Sequence, residues 1–224
     1  MKTSKSLTVL FAVLTAVVLL SAAIAAPILC RPFYYAHIEP LELCEQTGLT
    51  REEIKTAFDE MMDFCLGGEE FSTGVLRWSQ EGKSHFEDVR VLFLLDLRVL
   101  AASVAALFVV LFAALLTKRR PDRLLNRGFS FWAGTGLAVV FILIGALAAT
   151  DFDRAFVIFH TLFFPGKDNW LFDPARDQII NILPQIFFMN CAILILVLLL
   201  AGCLILILWD VLPRRKNTPT APVT

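Results

Sequence analysis

Four stretches of the chain stay free of charge long enough to cross a bilayer: residues 7–29, 99–116, 131–149 and 186–209. The second apolar run reaches back to Val91, with Asp96 and Arg98 embedded in it. A hydrocarbon core takes roughly 20 residues of helix, and backbone in lipid must satisfy its own hydrogen bonds. The pattern therefore predicts an all-α fold, a four-helix transmembrane bundle with spans at 7–29, 91–116, 131–149 and 186–209. The intervening segments 30–90 and 150–185 are predicted to build a partly helical extracytoplasmic domain, up to the border of the last span at 186. Segment 117–130 reads as a short loop, and 210–224 as a tail.

The long polar segment has its own pattern. Thr50 and Glu53 are spaced as a capping box. Ile54, Ala57, Phe58, Met61, Met62 and Cys65 follow at helical spacing, and Gly67 and Gly68 end the run. This predicts an amphipathic helix over 51–66, packed on the rest of the loop domain, with a place in the membrane interface as the alternative. Ser84 and Glu87 form a second capping box. It places His85 in the first turn of a helix that continues into the second span. From there to Leu116 is about 48 Å, more than the roughly 30 Å core, so the first turns stand above the apolar layer. Asp88 shares a face with His85. In the last loop, Asp173 followed by Pro174 reads as a helix start, with Asp177 one turn on.

Composition supports this picture. The 224 residues are 57% hydrophobic and 18% charged, below the roughly 25% charged of soluble domains. Mean hydropathy is +0.69. A soluble enzyme and a nucleic-acid binder are both disfavoured. The net charge of −1 hides an asymmetry. Lys2 and Lys5 precede the first span, Lys118, Arg119, Arg120, Arg123 and Arg127 fall in the short loop, and Arg214, Arg215 and Lys216 follow the last span. All acidic residues except Asp96, Asp122 and Asp210 fall in the two longer loops. The positive-inside rule then puts both termini in the cytoplasm and the acidic loops outside. The first span resembles a signal peptide in its basic start and small residues, but its length and Pro27 favour an uncleaved anchor. Cys44 and Cys65 lie where a disulfide is allowed, although their spacing does not establish one.

His85 and His160 each sit within a few residues of a membrane entry. Two imidazoles at similar depth suit one interfacial site. The plain alternative is that each is an ordinary packed histidine, the reading that holds for His37. Carboxylates Glu87, Asp88, Asp173 and Asp177 stand near the pair in sequence. So do aromatic residues suited to an interface: Phe159, Phe163, Phe164, Trp170 and Phe172. Asp96 and Arg98 lie at the depth of a span, where charges are functional candidates, but they fall in its outer part. No hydrolase, zinc-protease or phosphate-loop motif occurs.

The sequence SHFEDVR (Ser84 to Arg90), with Phe159-His160 and the W-x-F-D-P-x-x-D-x-x-I-x-x-L-P run from Trp170 to Pro184, resembles the lipoprotein intramolecular transacylases. These are four-span bacterial membrane proteins. The resemblance covers about 30–190. Gln80 and Glu81 are all that remains here of a glutamate-rich stretch before the first family histidine. The resemblance implies a bacterial cytoplasmic-membrane acyltransferase. It would move the sn-2 acyl chain of a lipoprotein's diacylglyceryl-cysteine to that cysteine's α-amine, giving a lyso-form lipoprotein. No cofactor and no metal is implied; the partners are membrane lipids and diacylated lipoproteins, not nucleic acid. His85 would act as base and His160 as acid or carbonyl-polarising partner, with the reverse order open. Asp88, Glu87, Asp173 and Asp177 would orient or support them, and Trp170 with the phenylalanines would line the acyl cleft. Two other classes stay open: a non-enzymatic accessory or sensor protein binding lipid or a partner, and a metal-dependent interfacial hydrolase.

Overall fold

The computed structural model describes residues 2–212. The basic tail with Arg214, Arg215 and Lys216 lies outside the described residues. In chain order come β1 (Lys2–Ser4), α1 (Lys5–Leu29), α2 (Arg31–Tyr35), α3 (Leu43–Thr47), α4 (Arg51–Cys65) and α5 (Gln80–Leu116). Then follow β2 (Arg119–Pro121), α6 (Phe129–Thr150), α7 (Phe152–Phe163), a 3-10 turn (Gln178–Ile182) and α8 (Gln185–Val211). Helices α1, α5, α6 and α8 are each long and apolar enough to cross a membrane. They pack as a bundle in which α1 touches the other three and α6 lies along α8. This is a four-helix integral membrane protein with a helical polar domain at one end.

Two features tie the bundle together. At one end β1 pairs in parallel with β2, Lys2 opposite Arg119 and Ser4 opposite Pro121. This short ladder is an addition to the all-α expectation. Its strands lie at the edge of apolar helices and leave no trace in hydrophobic periodicity. The fully buried Thr8 hydroxyl donates to the Asp122 carbonyl at 2.9 Å. Nearby, the largely buried Asp210 carboxylate accepts from the Gly128 N–H at 3.0 Å, at the start of α6. It also faces Arg123 and Arg127. In the second turn of α6, Gly134 lets α6 approach α8 closely. A β-carbon there would lie 2.7 Å from the Cys203 carbonyl oxygen.

The polar domain forms its own core. In α4, Thr50 accepts from the Glu53 N–H, and the Glu53 carboxylate accepts from the Thr50 N–H, satisfying orphan donors of the first turn. Its apolar stripe, from Ile54 to Cys65, meets Tyr34, Ile38 and Leu43 on one side and Phe86, Ile179, Ile182 and Phe187 on the other. Tyr34 stacks on Phe58 at 3.7 Å and donates its hydroxyl to the Ile182 carbonyl at 2.8 Å. All five cysteines are free thiols.

Two local expectations need correction. Helix α5 begins at Gln80, not at Ser84, and is capped by Ser79, whose Oγ accepts from the Gly82 N–H at 3.0 Å. The Ser84–Glu87 box does not form, and Glu87 faces Lys83 instead. Tertiary contact decides this. The Asp177 carboxylate accepts from the Ser79 N–H at 2.7 Å and the Ser79 hydroxyl at 2.9 Å. Second, Asp173-Pro174 opens a turn and not a helix: Asp173 accepts from the Ala175 N–H, and the following element is a 3-10 turn. Within the partly helical segment 150–185, the helix is α7, capped by Asp151, which accepts from the Arg154 N–H at 2.9 Å. Its helical period is present in the sequence, with Asp153, Arg154, His160 and Thr161 on one face and Phe156, Ile158, Phe159, Leu162 and Phe163 on the other.

Close packing at Gly134 predicts that Gly134→Leu destabilises the bundle by about 1–3 kcal/mol, the usual cost of overpacking. Gly136→Ala, where a β-carbon meets nothing within 4 Å, should leave it unchanged. Thermal unfolding in detergent checks the pair; equal midpoints would refute the assignment.

Candidate functional site

Helix α5 has 37 residues, about 55 Å, against a hydrocarbon core of roughly 30 Å. With its span at 91–116, the first turns project into the polar domain. His85 sits on this projecting part and is buried. Helix α7 starts just after α6 ends, with only Asp151 between them, and carries His160 in its last turn, also buried. The two imidazole rings come to 5.9 Å between centroids, with planes 29° apart.

The pair sits in an aromatic box. Phe164 lies 5.0 Å from the His85 ring and 5.7 Å from that of His160. Phe172 lies 5.4 Å from His85. Phe156 at 4.2 Å and Trp170 at 4.6 Å lie against His160. Phe159 and Phe163 contact each other and sit about half exposed, beside Val157, Ile158 and Leu162 on the outer face of α7. That face is the apolar lip of the site. Trp170 holds its place by donating its Nε1–H to the Lys167 carbonyl.

Polar contacts set the protonation of the box. His160 Nδ1 lies 2.7 Å from the Phe156 carbonyl oxygen. A carbonyl only accepts, so Nδ1 carries the proton and the neutral ring is left with an acceptor at Nε2. Burial lowers the pKa of His160, opposed by this bond. Burial first, and then the neighbouring His160, push His85 down to about 4, while Asp88 and Asn169 pull the other way. Both rings are therefore neutral at pH 7. Asp88 forms an ion pair with Lys167 and accepts from Asn169 Nδ2 at 3.1 Å. Burial works against its charge, but these partners hold its carboxyl below the usual range. Asn169 Nδ2 also reaches Ser84 Oγ at 3.4 Å.

The helix dipole is not what keeps His85 neutral. His85 stands in the second turn of α5, beyond the strongest part of the helix dipole, and its neutrality comes from burial. Among the described residues, no three His, Cys, Asp or Glu side chains are grouped to hold a metal ion.

The family model for the lipoprotein intramolecular transacylase Lit matches residues 9–188. The chain belongs to the lipoprotein intramolecular transacylase family. The membrane-integral transacylase Lit from Bacillus cereus is 26% identical in a solved structure, with a TM-score of 0.79 over 89% of this chain and 90% of that one. A second structure of that protein, carrying a histidine-to-arginine substitution, is 25% identical at a TM-score of 0.73, over 89% and 87% of the two chains. No curated protein sequence matches the chain.

Within this family frame, the sequence-derived candidates separate into three groups. His85, His160, Phe164, Trp170 and Phe172 meet in one box, with Phe159 and Phe163 at its rim. Asp88 lies behind His85, in the shell around the box. Glu87, Asp173 and Asp177 make no hydrogen bond to either histidine: Glu87 and Asp173 are exposed, and Asp177 is buried against Ser79. Asp177 still matters, because it fixes where α5 begins and hence where His85 points. A β-carbon on Gly82 would collide with it at 2.1 Å, so only glycine admits this carboxylate. His37 packs elsewhere, its Nδ1 donating to the Phe33 carbonyl at 2.7 Å. Sequence reasoning missed Phe156, Lys167 and Asn169. Phe156 precedes His160 by four residues, a relation that becomes visible only once α7 is known to be a helix.

A neutral buried His85 predicts a stability signature. Its unfolded value is 6.5 and its folded value about 4, so the unfolded chain takes up a proton first as pH falls. Stability is fully present above pH 6.5 and is lost between about 6.5 and 4, by about 3 kcal/mol. His85→Gln should flatten the pH dependence of thermal unfolding over that window by this amount. An unchanged slope would contradict the burial of a neutral imidazole.

Proposed function

We propose that this protein is an integral membrane acyltransferase. It moves the sn-2 acyl chain of a diacylglyceryl-cysteine onto the α-amine of the same lipoprotein residue. The observation that carries this reading is the pair of buried, neutral histidines 5.9 Å apart, boxed by aromatic rings at a membrane border, in a member of this family. A sensor or accessory role would leave the two imidazoles free to lie apart.

The chemistry needs few groups. Ester and amine belong to one molecule, so no enzyme nucleophile is required, and holding them in attack geometry lowers the barrier. The amine must first be neutral, and its usual pKa of about 7.7–8.0 leaves most of it charged at pH 7. His160, with Nδ1–H tied to Phe156, begins as a proton acceptor at Nε2. It therefore serves better as base than as the initial acid. The amine nitrogen attacks the ester carbonyl carbon, the N–C bond forms, and one N–H proton passes to an imidazole. The imidazolium then returns that proton to the glycerol oxygen as the C–O bond breaks, leaving an amide and a lyso-glyceryl group. His85 shares the task as second acceptor. A primary amine has two N–H bonds, and two acceptors hold both while its lone pair faces the carbonyl.

The half-exposed apolar face of α7 suits contact with lipid, and the aromatic box suits an acyl chain. The basic residues Lys2, Arg119 and Arg120 gather at the opposite end of the bundle. This supports placement in the bacterial cytoplasmic membrane with both termini inward and the histidine end outward, and diacylated lipoproteins as substrate.

Expression with a diacylated lipoprotein, followed by mass spectrometry of its N-terminus, tests the reading. The native chain should yield the lyso form. His85→Ala and His160→Ala should each lower conversion by about 10²–10⁴-fold, the range of acid–base catalysis. Full conversion by both variants would end the proposal.

A further inference from the structure

The His85 side has a loose end. His85 Nδ1 and Asn169 Oδ1 are both buried, and neither has a hydrogen-bond partner within standard geometry among the described residues. Leaving a buried polar group unpaired is costly, so each of the two calls for a partner. One is a ring nitrogen able to donate and the other can only accept. The orientation of the Asn169 amide is not free. Its NH₂ group donates to the Asp88 carboxylate and to Ser84 Oγ, both beside His85 on α5, and a carboxylate can take nothing but a donor. The carbonyl end therefore remains for His85. Asn169 also favours the charged form of His85, as an acceptor close to the ring does.

We propose that Asn169 is a positioning residue that sets the tautomer of His85: its Oδ1 accepts from His85 Nδ1–H, leaving Nε2 as the open acceptor. Asp88 orients the amide, and Lys167 holds Asp88 in place. The series Lys167, Asp88, Asn169, His85 then does on one side of the box what the Phe156 carbonyl does on the other. Both imidazoles present an unprotonated Nε2, as a base acting on an amine requires. When His85 takes up a proton, the polarised amide and the carboxylate behind it stabilise the imidazolium. This assignment rests on the transacylase reading for its purpose but not for its test.

The test reads the tautomer directly. Nitrogen-15 spectra of histidine-labelled protein in lipid nanodiscs distinguish protonated from unprotonated ring nitrogens, with the His85 signals assigned by their loss in His85→Gln. The native chain should show His85 protonated at Nδ1. Asn169→Ala should shift it toward the Nε2-protonated form and slow lyso-lipoprotein formation by about 10–100-fold, as loss of an orienting outer partner does at related histidine sites. Asn169→Gln, which keeps both an acceptor for His85 and an NH₂ donor for Asp88, should retain the native tautomer and recover part of the rate. A native His85 protonated at Nε2, or a tautomer unchanged in Asn169→Ala, overturns the proposal. The spectra need no substrate. Native protein that makes no lyso form while its tautomer follows Asn169 would refute the transacylase reading alone.

Discussion

The structure depends on a mismatch of length. Helix α5 is nearly twice as long as the apolar layer is thick, and its excess must go somewhere. It becomes a rigid post that carries His85 out of the lipid on a continuous helix. A post is useful only if its rotation and start are fixed, and one buried carboxylate from a distant loop does this. Asp177 receives both donors of Ser79 and fills the space above Gly82. The remainder of the last outer segment, from Phe164 to Phe172, is laid against that post by Lys167 and Asn169. His160 arrives on α7 from the other side.

Burial of two bases side by side is costly when either is charged and mild when both are neutral. The aromatic box exploits this difference. It excludes water, keeps both rings neutral, and lowers each ring's tolerance for a proton while its neighbour holds one. The carboxylate that offsets this, Asp88, is kept one residue removed from the imidazole by Asn169. Its charge is therefore available to an imidazolium formed during reaction but does not hold a proton on His85 at rest.

Much of this was legible in sequence, and the rest failed for identifiable reasons. The four spans follow from charge-free length alone, a signal that tertiary contact does not override. The reciprocal cap of α4 is local and was readable for the same reason. The Ser84–Glu87 pattern is equally good as a local cap, yet it lost to Ser79, because the deciding partner, Asp177, lies 98 residues away. Helix α7 was legible in the shared face of Asp153, Arg154, His160 and Thr161 but was passed over beside the longer apolar spans, and with it the i to i+4 bond between Phe156 and His160. The two histidines were readable as a pair by their common distance from the membrane. Asn169 and Lys167 were not, since their roles exist only where the loop folds back on α5.

The short parallel ladder between Lys2–Ser4 and Arg119–Pro121 bears on assembly during synthesis. The first strand and the first span leave the ribosome long before their partners exist. Helix α1, which every other span contacts, must wait in the bilayer until residue 121 has been made before its end can be fastened. The ladder has both its strands before the segment that carries His160 is made, whereas Asp210, which holds Gly128, Arg123 and Arg127 at the same end, comes after it.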